Sequence, residues 1–189
     1  MSSDPKLVVV KIGGGLTAVA GALQRVCSTV AGSARHRPIL VVPGGGPFAD
    51  AVRNFDRQVG LSPDAAHWMA LLAMDQYAHV LAGLLPGSIM VEEPGTIQAQ
   101  LGVGRPLVLA PSRWMRAADV LPHSWEATSD SIAAFVAGAL GADRLVLVKP
   151  TTDPDQPLDP CFPVVVPAGL PFYLVGCECL AELEARLTS

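Results

Sequence analysis

The sequence predicts an α/β protein built on a mainly parallel central sheet that is covered by helices on both faces. Hydrophobic segments of strand length alternate with segments of helical periodicity along almost the whole chain of 189 residues. The strand segments are too apolar to have one face in water, which is typical of a parallel sheet buried between helices. Half of the residues are hydrophobic, so a substantial core is available. We therefore expect a single globular unit over residues 1–189, with two halves that share one sheet.

Two strand–turn–helix units open the chain. Residues 7–12 are the first predicted strand, and apolar residues at helical spacing over 16–30 predict a helix after the glycine turn that ends this strand. Residues 39–42 are the second strand, and a helix over 48–59 follows its own glycine turn. Free backbone N–H groups at such turns and the dipole of the following helix both favour an anion. The two turns therefore indicate phosphate binding.

A longer helix and several shorter elements complete the predicted sheet and its cover. Ser62, Pro63 and Asp64 are typical of a helix start, because they supply a capping hydroxyl, a proline in the first turn and an early acidic residue. This helix is expected to run to Gly83. The remaining predicted strands cover residues 89–91, 107–109, 144–149 and 172–175, and the remaining helices cover 129–140 and 178–187. Residues 150–163 are rich in proline and aspartate and are expected to form a surface loop.

A lysine stands at the end of each of two predicted strands. Lys11 follows four apolar residues, and Lys149 follows the apolar run 145–148. The carboxyl ends of parallel strands share one edge, where ligands bind in such sheets, so we expect both ammonium groups to face one site. Two cations there would neutralise the oxygens of a transferring phosphoryl group, which is most of the catalysis in phosphoryl transfer. Each lysine taken alone is also compatible with a solvated surface position.

Asp130 lies at the start of the predicted helix 129–140. It has two compatible interpretations: an acid in the first turn that the helix dipole favours, and an acid that accepts hydrogen bonds from both lysines and fixes their orientation. A glycine-rich turn taken singly is equally compatible with a tight turn that binds nothing. Two such turns at the same edge of one sheet favour the phosphate-binding interpretation.

Composition and charge exclude several classes of partner. A net charge of −4 gives no sign of the positive charge that binding to nucleic acid or to an anionic membrane requires. No apolar run is long enough to span a bilayer and the N-terminus lacks the features of a signal peptide, so we expect a cytoplasmic protein. Neither the Walker pattern nor the dinucleotide fingerprint is present. The cysteines lack the spacing of a zinc site and are expected to be reduced thiols: Cys27, Cys161, Cys177 and Cys179.

Several motifs resemble those of the amino acid kinase superfamily, and they occur in its order along nearly the whole chain. They are residues 11–15, the glycines 44–46, residues 128–134 and the strand that ends at Lys149. The resemblance implies the amino acid kinase fold with a shortened nucleotide half. It also implies an acceptor-binding half over residues 1–120 and a half over 121–189 that binds ATP and Mg²⁺.

The same resemblance implies a role for each residue of the predicted site. Lys11 would contact the transferring phosphate, Asp130 would orient the lysines, and Lys149 would lie on the nucleotide side. Backbone N–H groups of the first glycine turn would bind phosphate, and the second turn would face the acceptor. The phosphate-binding glycines would be Gly13, Gly14 and Gly15, with N–H donation from the first two, and the acceptor-facing glycines would be Gly44, Gly45 and Gly46.

Residues 67–77 and 123–134 resemble a narrower group, the small aspartokinase-like kinases of methanofuran biosynthesis. These enzymes phosphorylate an aminomethyl-furanmethanol phosphate to a diphosphate. The resemblance therefore implies a small phosphate acceptor that carries an ammonium group, a flat ring and a dianion. The candidates to contact it are His67, Asp75 and Glu126 for the amine or the ring edge, and Trp125 for stacking on the ring. His67 is also compatible with an ordinary structural histidine.

The nucleotide half departs from the superfamily pattern. Relatives carry an aspartate–glycine turn after the strand of Lys149, whereas this chain keeps Asp153 and Asp155 without the glycine. These aspartates would either help to hold Mg²⁺ or only solvate a loop. A uridylate or isopentenyl phosphate kinase is the alternative among enzymes, and the short nucleotide half leaves open a binding protein without turnover. The sheet edge and the apolar helices are compatible with a homodimer.

Overall fold

The computed structural model describes residues 6–151 and 158–189. The strands are β1 (Val8–Ile12), β2 (Ile39–Pro43), β3 (Ile89–Val91), β4 (Leu107–Leu109), β5 (Arg144–Lys149) and β6 (Phe172–Gly176). The helices are α1 (Ala22–Ser33), α2 (Gly46–Val59), α3 (Pro63–Leu84), α4 (Pro94–Gln100), α5 (Ser112–Ala118), α6 (Ser129–Ala139), α7 (Phe162–Val165) and α8 (Leu180–Thr188). The six strands form one parallel sheet in the order β3-β4-β2-β1-β5-β6, which confirms the predicted α/β architecture.

The strand order places β1 and β5 side by side in the interior of the sheet. β1 pairs with β2 on one side and with β5 on the other. The chain therefore builds one half of the sheet from β1 through β2 to β3 and β4, and then returns to the other side of β1 with β5. Open α/β sheets bind ligands at such a reversal, beyond the carboxyl ends of the strands. Lys11 lies opposite Leu147 in this register, and Lys149 ends β5.

Alternation along β1 and β5 directs both lysines to the same face of the sheet. Val9 packs in the core beneath α6, whereas its two neighbours in β1 pack in the core beneath α1 and α8. Successive side chains of a strand point to opposite faces, so Lys11 shares the face of Val9. In β5, Leu147 also packs beneath α6, which places Lys149 on that face as well.

Some local elements differ from the predictions. Residues Gly14–Ala18 form a tight 3-10 turn, and α1 begins only at Ala22, after Gly21 with a φ of 67°. Leu16 is fully buried in that turn, so its apolar character reflects packing of the turn and not the periodicity of α1. The helices α4, α5 and α7 were not predicted, because segments of seven residues or fewer carry little periodicity.

The stretch 150–163 was predicted as a surface loop, and this holds for exposed residues such as Thr151 and Pro160 but not for the end of the stretch. Asp159 and Phe162 are buried, with 7% and 1% of their surfaces exposed, and α7 begins at Phe162. Phe162 packs in the core beneath α6, so the chain returns to the sheet here. Asp153 and Asp155 lie outside the described residues. Within the described ranges, no helix is both long and apolar enough to cross a membrane.

Candidate active site

Lys11, Asp130 and Lys149 form a buried charged cluster at the carboxyl ends of β1 and β5. The Nζ atom of Lys11 lies 2.8 Å from Oδ1 of Asp130, and Nζ of Lys149 donates a hydrogen bond of 2.6 Å to Oδ2. The three side chains are 6%, 3% and 14% exposed, respectively. The predicted geometry, in which one carboxylate holds both lysines, is therefore present. The catalytic role of this cluster stays a prediction.

The three side chains of the cluster are two bases and one acid, and a second carboxylate, that of Asp159, is close enough to act on Lys11 through its charge. Burial opposes ionisation of Asp130, but the ammonium groups of Lys11 and Lys149 outweigh it and hold the pKa of this carboxyl below its usual range. Burial lowers the pKa of Lys11; the carboxylate of Asp130 opposes this shift and Lys149 adds to it. One carboxylate therefore lies between the amino groups of two lysines. A phosphate group is the kind of ligand that complements this pair of bases.

A second buried carboxylate, Asp159, holds the helix that carries Asp130. Its Oδ2 atom accepts hydrogen bonds from the N–H and the hydroxyl of Thr128, at 3.0 and 2.7 Å, and from the N–H of Ser131 at 3.0 Å. Its Oδ1 atom accepts from the Ser131 hydroxyl and from the N–H groups of residues 161–162. These bonds tie the N-terminus of α6 to the segment that leads into α7. The position of Asp130 therefore depends on Asp159.

The two glycine turns meet backbone to backbone beside the lysines. A Cβ atom on Gly14 would lie 2.1 Å from the backbone nitrogen of Gly46. A Cβ atom on Gly44 would lie 2.5 Å from the backbone nitrogen of Gly14. Only residues without a side chain allow this approach. The turns therefore form one continuous surface of backbone groups.

The N–H groups of these turns divide into two sets. Gly13 donates to the carbonyl of Val148 at 3.0 Å, and Gly44 donates to the carbonyl of Ile12 at 2.8 Å. The expected N–H contact of Gly13 with phosphate is therefore wrong, because this group extends the sheet instead. The expected acceptor contact of Gly44 is also wrong, because Gly44 is buried and does not line the cavity beside the turns. Four other glycines of these turns line the cavity, and within the described residues their N–H groups have no acceptor: Gly14, Gly15, Gly45 and Gly46.

A cavity of about 530 Å³ opens from these free N–H groups and lies between α2, α3 and the segment before α6. Its volume is within the range of sites for small molecules. Thr128 and Ser129, the residues directly before Asp130, also line it, so the cavity adjoins the charged cluster. The polar and aromatic side chains of its wall include Asp50, Arg53 and Asp56 of α2, His67 of α3, and His123 and Trp125.

Trp125 is held in the cavity wall by side chains of α2. Its indole Nε1 donates a hydrogen bond of 2.8 Å to Oδ2 of Asp56, and the guanidinium carbon of Arg53 lies 4.6 Å from the centroid of its ring. Arg53 in turn forms an ion pair of 2.8 Å with Asp50. Oδ1 of Asp56 accepts the N–H of Leu61 at 2.9 Å. Trp125 thus lies in the cavity as expected, and its stacking on an acceptor stays a prediction.

His67 also lines the cavity, with its ring stacked on that of His123. The ring centroids are 4.2 Å apart and the planes are inclined by 16°. The two nitrogens of His123 lie 2.6 Å from Asp64 and 2.9 Å from Asp119, and hydrogen bonds to these carboxylates raise the pKa of His123. Burial, followed by the charge of His123, lowers the pKa of His67. Protonation of His123 is therefore favoured by two acids, whereas protonation of His67 is disfavoured by burial and by the charge of His123.

Two residues that were predicted to bind the acceptor lie elsewhere. Asp75 accepts hydrogen bonds from the N–H of Ser112, at 3.0 Å, and from the Ser112 hydroxyl, and it does not line the cavity. It caps the start of α5, which explains an acid among the apolar residues of α3. Glu126 is exposed and does not line the cavity either. Both predictions are wrong for this cavity.

Sequence reasoning missed four residues of the site: Arg53, Asp56, His123 and Asp159. Arg53 and Asp56 are three residues apart on the helix that follows the second glycine turn, a spacing that places them on one face and that was visible in the sequence. His123 and Asp159 contact partners that are distant in the chain. The sequence contains no local signal for such contacts.

Fold and site together define an α/β protein with a parallel sheet, in which two strand-end lysines share one aspartate beside paired glycine turns. The model of the amino acid kinase family matches residues 6–151, and the chain belongs to that family. It is 30% identical over 140 residues to the [5-(aminomethyl)furan-3-yl]methyl phosphate kinase of Methanocaldococcus jannaschii. This match covers 74% of the chain and 63% of the relative, so the chain spans less than two thirds of that relative's length.

Solved structures of other kinases share the fold. Uridylate kinase from Archaeoglobus fulgidus has a TM-score of 0.67 at 15% identity, with 97% of this chain and 96% of that chain covered. UMP kinase from Bacillus anthracis has a TM-score of 0.66 at 11% identity, with coverages of 98% and 93%. An isopentenyl phosphate kinase has a TM-score of 0.60 at 13% identity, with 96% of each chain covered. At these identities the likeness establishes the amino acid kinase fold alone.

Proposed function

We propose that the chain is a kinase that transfers the γ-phosphoryl group of ATP to the phosphate of a small aminomethyl furan, forming a diphosphate. The observation that carries this proposal is the buried cluster of Lys11, Asp130 and Lys149, whose two lysines lie beside free backbone N–H groups. Phosphoryl transfer needs mainly positioning and neutralisation of charge, and this cluster provides both. The activity named for the Methanocaldococcus jannaschii relative supports the acceptor class.

The side chains of the cluster would act on the transferring group through charge. Lys11 and Lys149 would neutralise its oxygens, and Asp130 would keep both ammonium groups in place through the contacts described above. The N–H groups of the glycine turns would bind phosphate oxygens as neutral donors. An acceptor phosphate is already ionised at neutral pH, so this reaction needs no general base. Asp130, bound to both lysines, is therefore assigned an orienting role.

ATP with Mg²⁺ would bind in the half of the chain that contains Lys149. The donors that border the site are ammonium and N–H groups, which suit phosphate oxygens and not a metal ion. Within residues 6–151 and 158–189, no group of three His, Cys, Asp or Glu residues is placed to hold a metal. Mg²⁺ commonly keeps several waters and binds through the phosphates of the substrate. We propose that Mg²⁺ binds the phosphates of the nucleotide and neutralises their charge; a contribution of Asp153 and Asp155, which lie outside the described residues, stays a prediction.

The cavity wall does not by itself select among the candidate acceptors. Arg53, Asp56 and His67 place polar groups along it, but many of its other residues are apolar, among them Leu71, Met74 and Ile132. An isopentenyl phosphate acceptor, a uridylate acceptor and a binding protein without turnover therefore remain alternatives that a direct assay separates. The homodimer and the cytoplasmic location expected from the sequence also stay predictions.

Phosphorus NMR of reaction mixtures tests the proposal. Wild-type protein with ATP, Mg²⁺ and a panel of phosphomonoesters, including UMP and isopentenyl phosphate, is expected to give a diphosphate signal with the aminomethyl furan. Release of ADP should depend on that acceptor. A panel without any diphosphate product would contradict the kinase assignment, and binding without turnover would favour the non-catalytic alternative.

Replacing Lys11 tests the role of the cluster in this reaction. Lys11→Ala is expected to lower kcat by about 100-fold or more, because a charged donor to the transferring group is lost. Lys6→Ala is the matched control, because the side chain of Lys6 is 70% exposed and lies outside the cluster. Full activity of Lys11→Ala would show that the charged cluster does not carry the chemistry.

A further inference from the structure

We propose that Asp56 binds the ammonium group of the acceptor and thereby selects acceptors that carry a cation. The inference rests on the proposed kinase function and deepens it by naming the residue that determines the acceptor class. Asp56 lies in the last turn of α2, and its side chain lines the cavity. Neither Asp75 nor Glu126, the acids first predicted to meet an amine, reaches this cavity.

The charges in the cavity wall single out Asp56. Of the two carboxylates that line the cavity, Asp50 forms an ion pair of 2.8 Å with Arg53. Asp56 accepts hydrogen bonds from an indole and from a backbone N–H, both neutral donors. In the part of the chain that the structure describes, no cationic side chain lies within ion-pair distance of it. A carboxylate has about four lone-pair positions, so Asp56 can still accept hydrogen bonds from an ammonium group.

The two ends of the cavity differ in charge. At one end lie the glycine turns, where Thr128 and Ser129 also line the cavity and lead directly to Asp130 of the charged cluster. At the other end lies Asp56, ten residues beyond Gly46 on α2, which is about 15 Å along the helix at 1.5 Å per residue. An acceptor with a phosphate at one end and an ammonium group at the other would be oriented by this difference. Its phosphate would then face the lysines.

Trp125 couples recognition of the cation to recognition of the ring. Its Nε1 donates to Oδ2 of Asp56 and so fixes the carboxylate, while the indole itself lines the cavity. A flat ring that bears an aminomethyl group could lie against the indole while its ammonium group reaches Asp56. Aromatic contact alone would not distinguish this acceptor from an uncharged ring, because both have a flat apolar face. The discrimination is therefore assigned to the carboxylate.

A comparison of two acceptors tests the assignment. The first is [5-(aminomethyl)furan-3-yl]methyl phosphate, and the second carries a methyl group in place of the aminomethyl group. Wild-type protein is expected to prefer the first by about 10- to 100-fold in kcat/KM, the usual effect of a hydrogen bond to a charged group. Asp56→Asn should reduce this preference to about threefold or less, mainly through KM for the first acceptor. Glu126→Gln, which removes an exposed carboxylate next to Trp125 in the sequence but outside the cavity wall, should keep the preference.

The outcomes separate this inference from the proposed function. If the wild type uses both acceptors equally, or if Asp56→Asn keeps the preference, the inference is wrong and the kinase proposal stands. If the wild type phosphorylates no member of the wider panel, the kinase proposal fails and this inference fails with it. Circular dichroism establishes that each variant is folded. Asp56→Ser is a second uncharged variant, with the same loss of preference expected, should Asp56→Asn not fold.

Discussion

Replacing Asp130 by asparagine would remove the counter-ion shared by two buried lysines. The carboxylate lies 2.8 Å from Nζ of Lys11 and 2.6 Å from Nζ of Lys149, and its side chain is 3% exposed. Asparagine keeps the volume but leaves two ammonium groups without the charge that balances them. Loss of one partner from a buried ion pair costs about 3–5 kcal/mol. We expect Asp130→Asn to lower the free energy of unfolding by that amount at neutral pH.

The pH dependence of this loss follows from the lowered pKa of Asp130. A carboxyl whose pKa is lower in the folded protein contributes its full stabilisation above its unfolded pKa, about 3.9. That stabilisation disappears as the pH falls through the pKa that Asp130 has in the folded protein. The difference between wild type and Asp130→Asn should therefore be largest near neutral pH and shrink in acid. Urea unfolding at several pH values measures it.

A double-mutant cycle identifies the ion pair as the cause. Lys11→Met alone should cost less than Asp130→Asn, because Asp130 then still bonds Lys149. Lys11→Met combined with Asp130→Asn should cost less than the sum of the single changes by about 1–3 kcal/mol, since the double variant leaves one lone ammonium group and not two. Strictly additive losses would refute the reasoning. So would an Asp130→Asn variant within about 1 kcal/mol of wild type at neutral pH.

Two further predictions concern the supports of the site. Asp159→Asn should lower the free energy of unfolding by about 1–3 kcal/mol per donor left unpaired, because an amide NH₂ cannot accept the bonds that one carboxylate oxygen now accepts. The same variant should lower kcat, because Asp130 is displaced. Urea unfolding measures the first effect and steady-state kinetics the second. The pKa of His123 is raised by its bonds to two acids. Its contribution to stability is therefore full below the pKa of an unfolded histidine, about 6.5, and is lost as the pH rises through the pKa that His123 has in the folded protein. His123→Asn should therefore flatten the fall of Tm on the alkaline side, as thermal unfolding against pH measures. Unchanged curvature would contradict a stabilising role for the bonds of His123 to Asp64 and Asp119.

The fold and the charged cluster were predictable because both follow from the strands. Apolar runs define the strands, and parallel strands place their carboxyl ends at one edge. Lys11 and Lys149 each lie at such an end, and alternation of side chains then puts both on the face of α6. Asp130 belongs to the first turn of that helix, so its approach to the lysines follows from the order of the elements.

The remainder of the site depends on contacts that no local pattern encodes. Asp75 and Asp56 are both acids in helices, yet one caps α5 through Ser112 and the other lines the cavity. Only the packing of α2 and α3 around the cavity distinguishes them. Likewise, Gly13 and Gly14 are neighbours in one turn, but the N–H of Gly13 completes the sheet while that of Gly14 has no acceptor among the described residues.

The two lysines of the cluster and the free N–H groups have one physical consequence in common. A buried cluster of two lysines and one carboxylate is less stable than a balanced one, and the backbone donors beside it are not bonded to acceptors of the described residues. A phosphate group placed between them supplies both the negative charge and the acceptor oxygens. A ligand that binds the folded protein alone stabilises it in proportion to the logarithm of its concentration. Stability of this chain should therefore rise with phosphate-bearing ligands, and that rise should depend on Lys11 and Lys149.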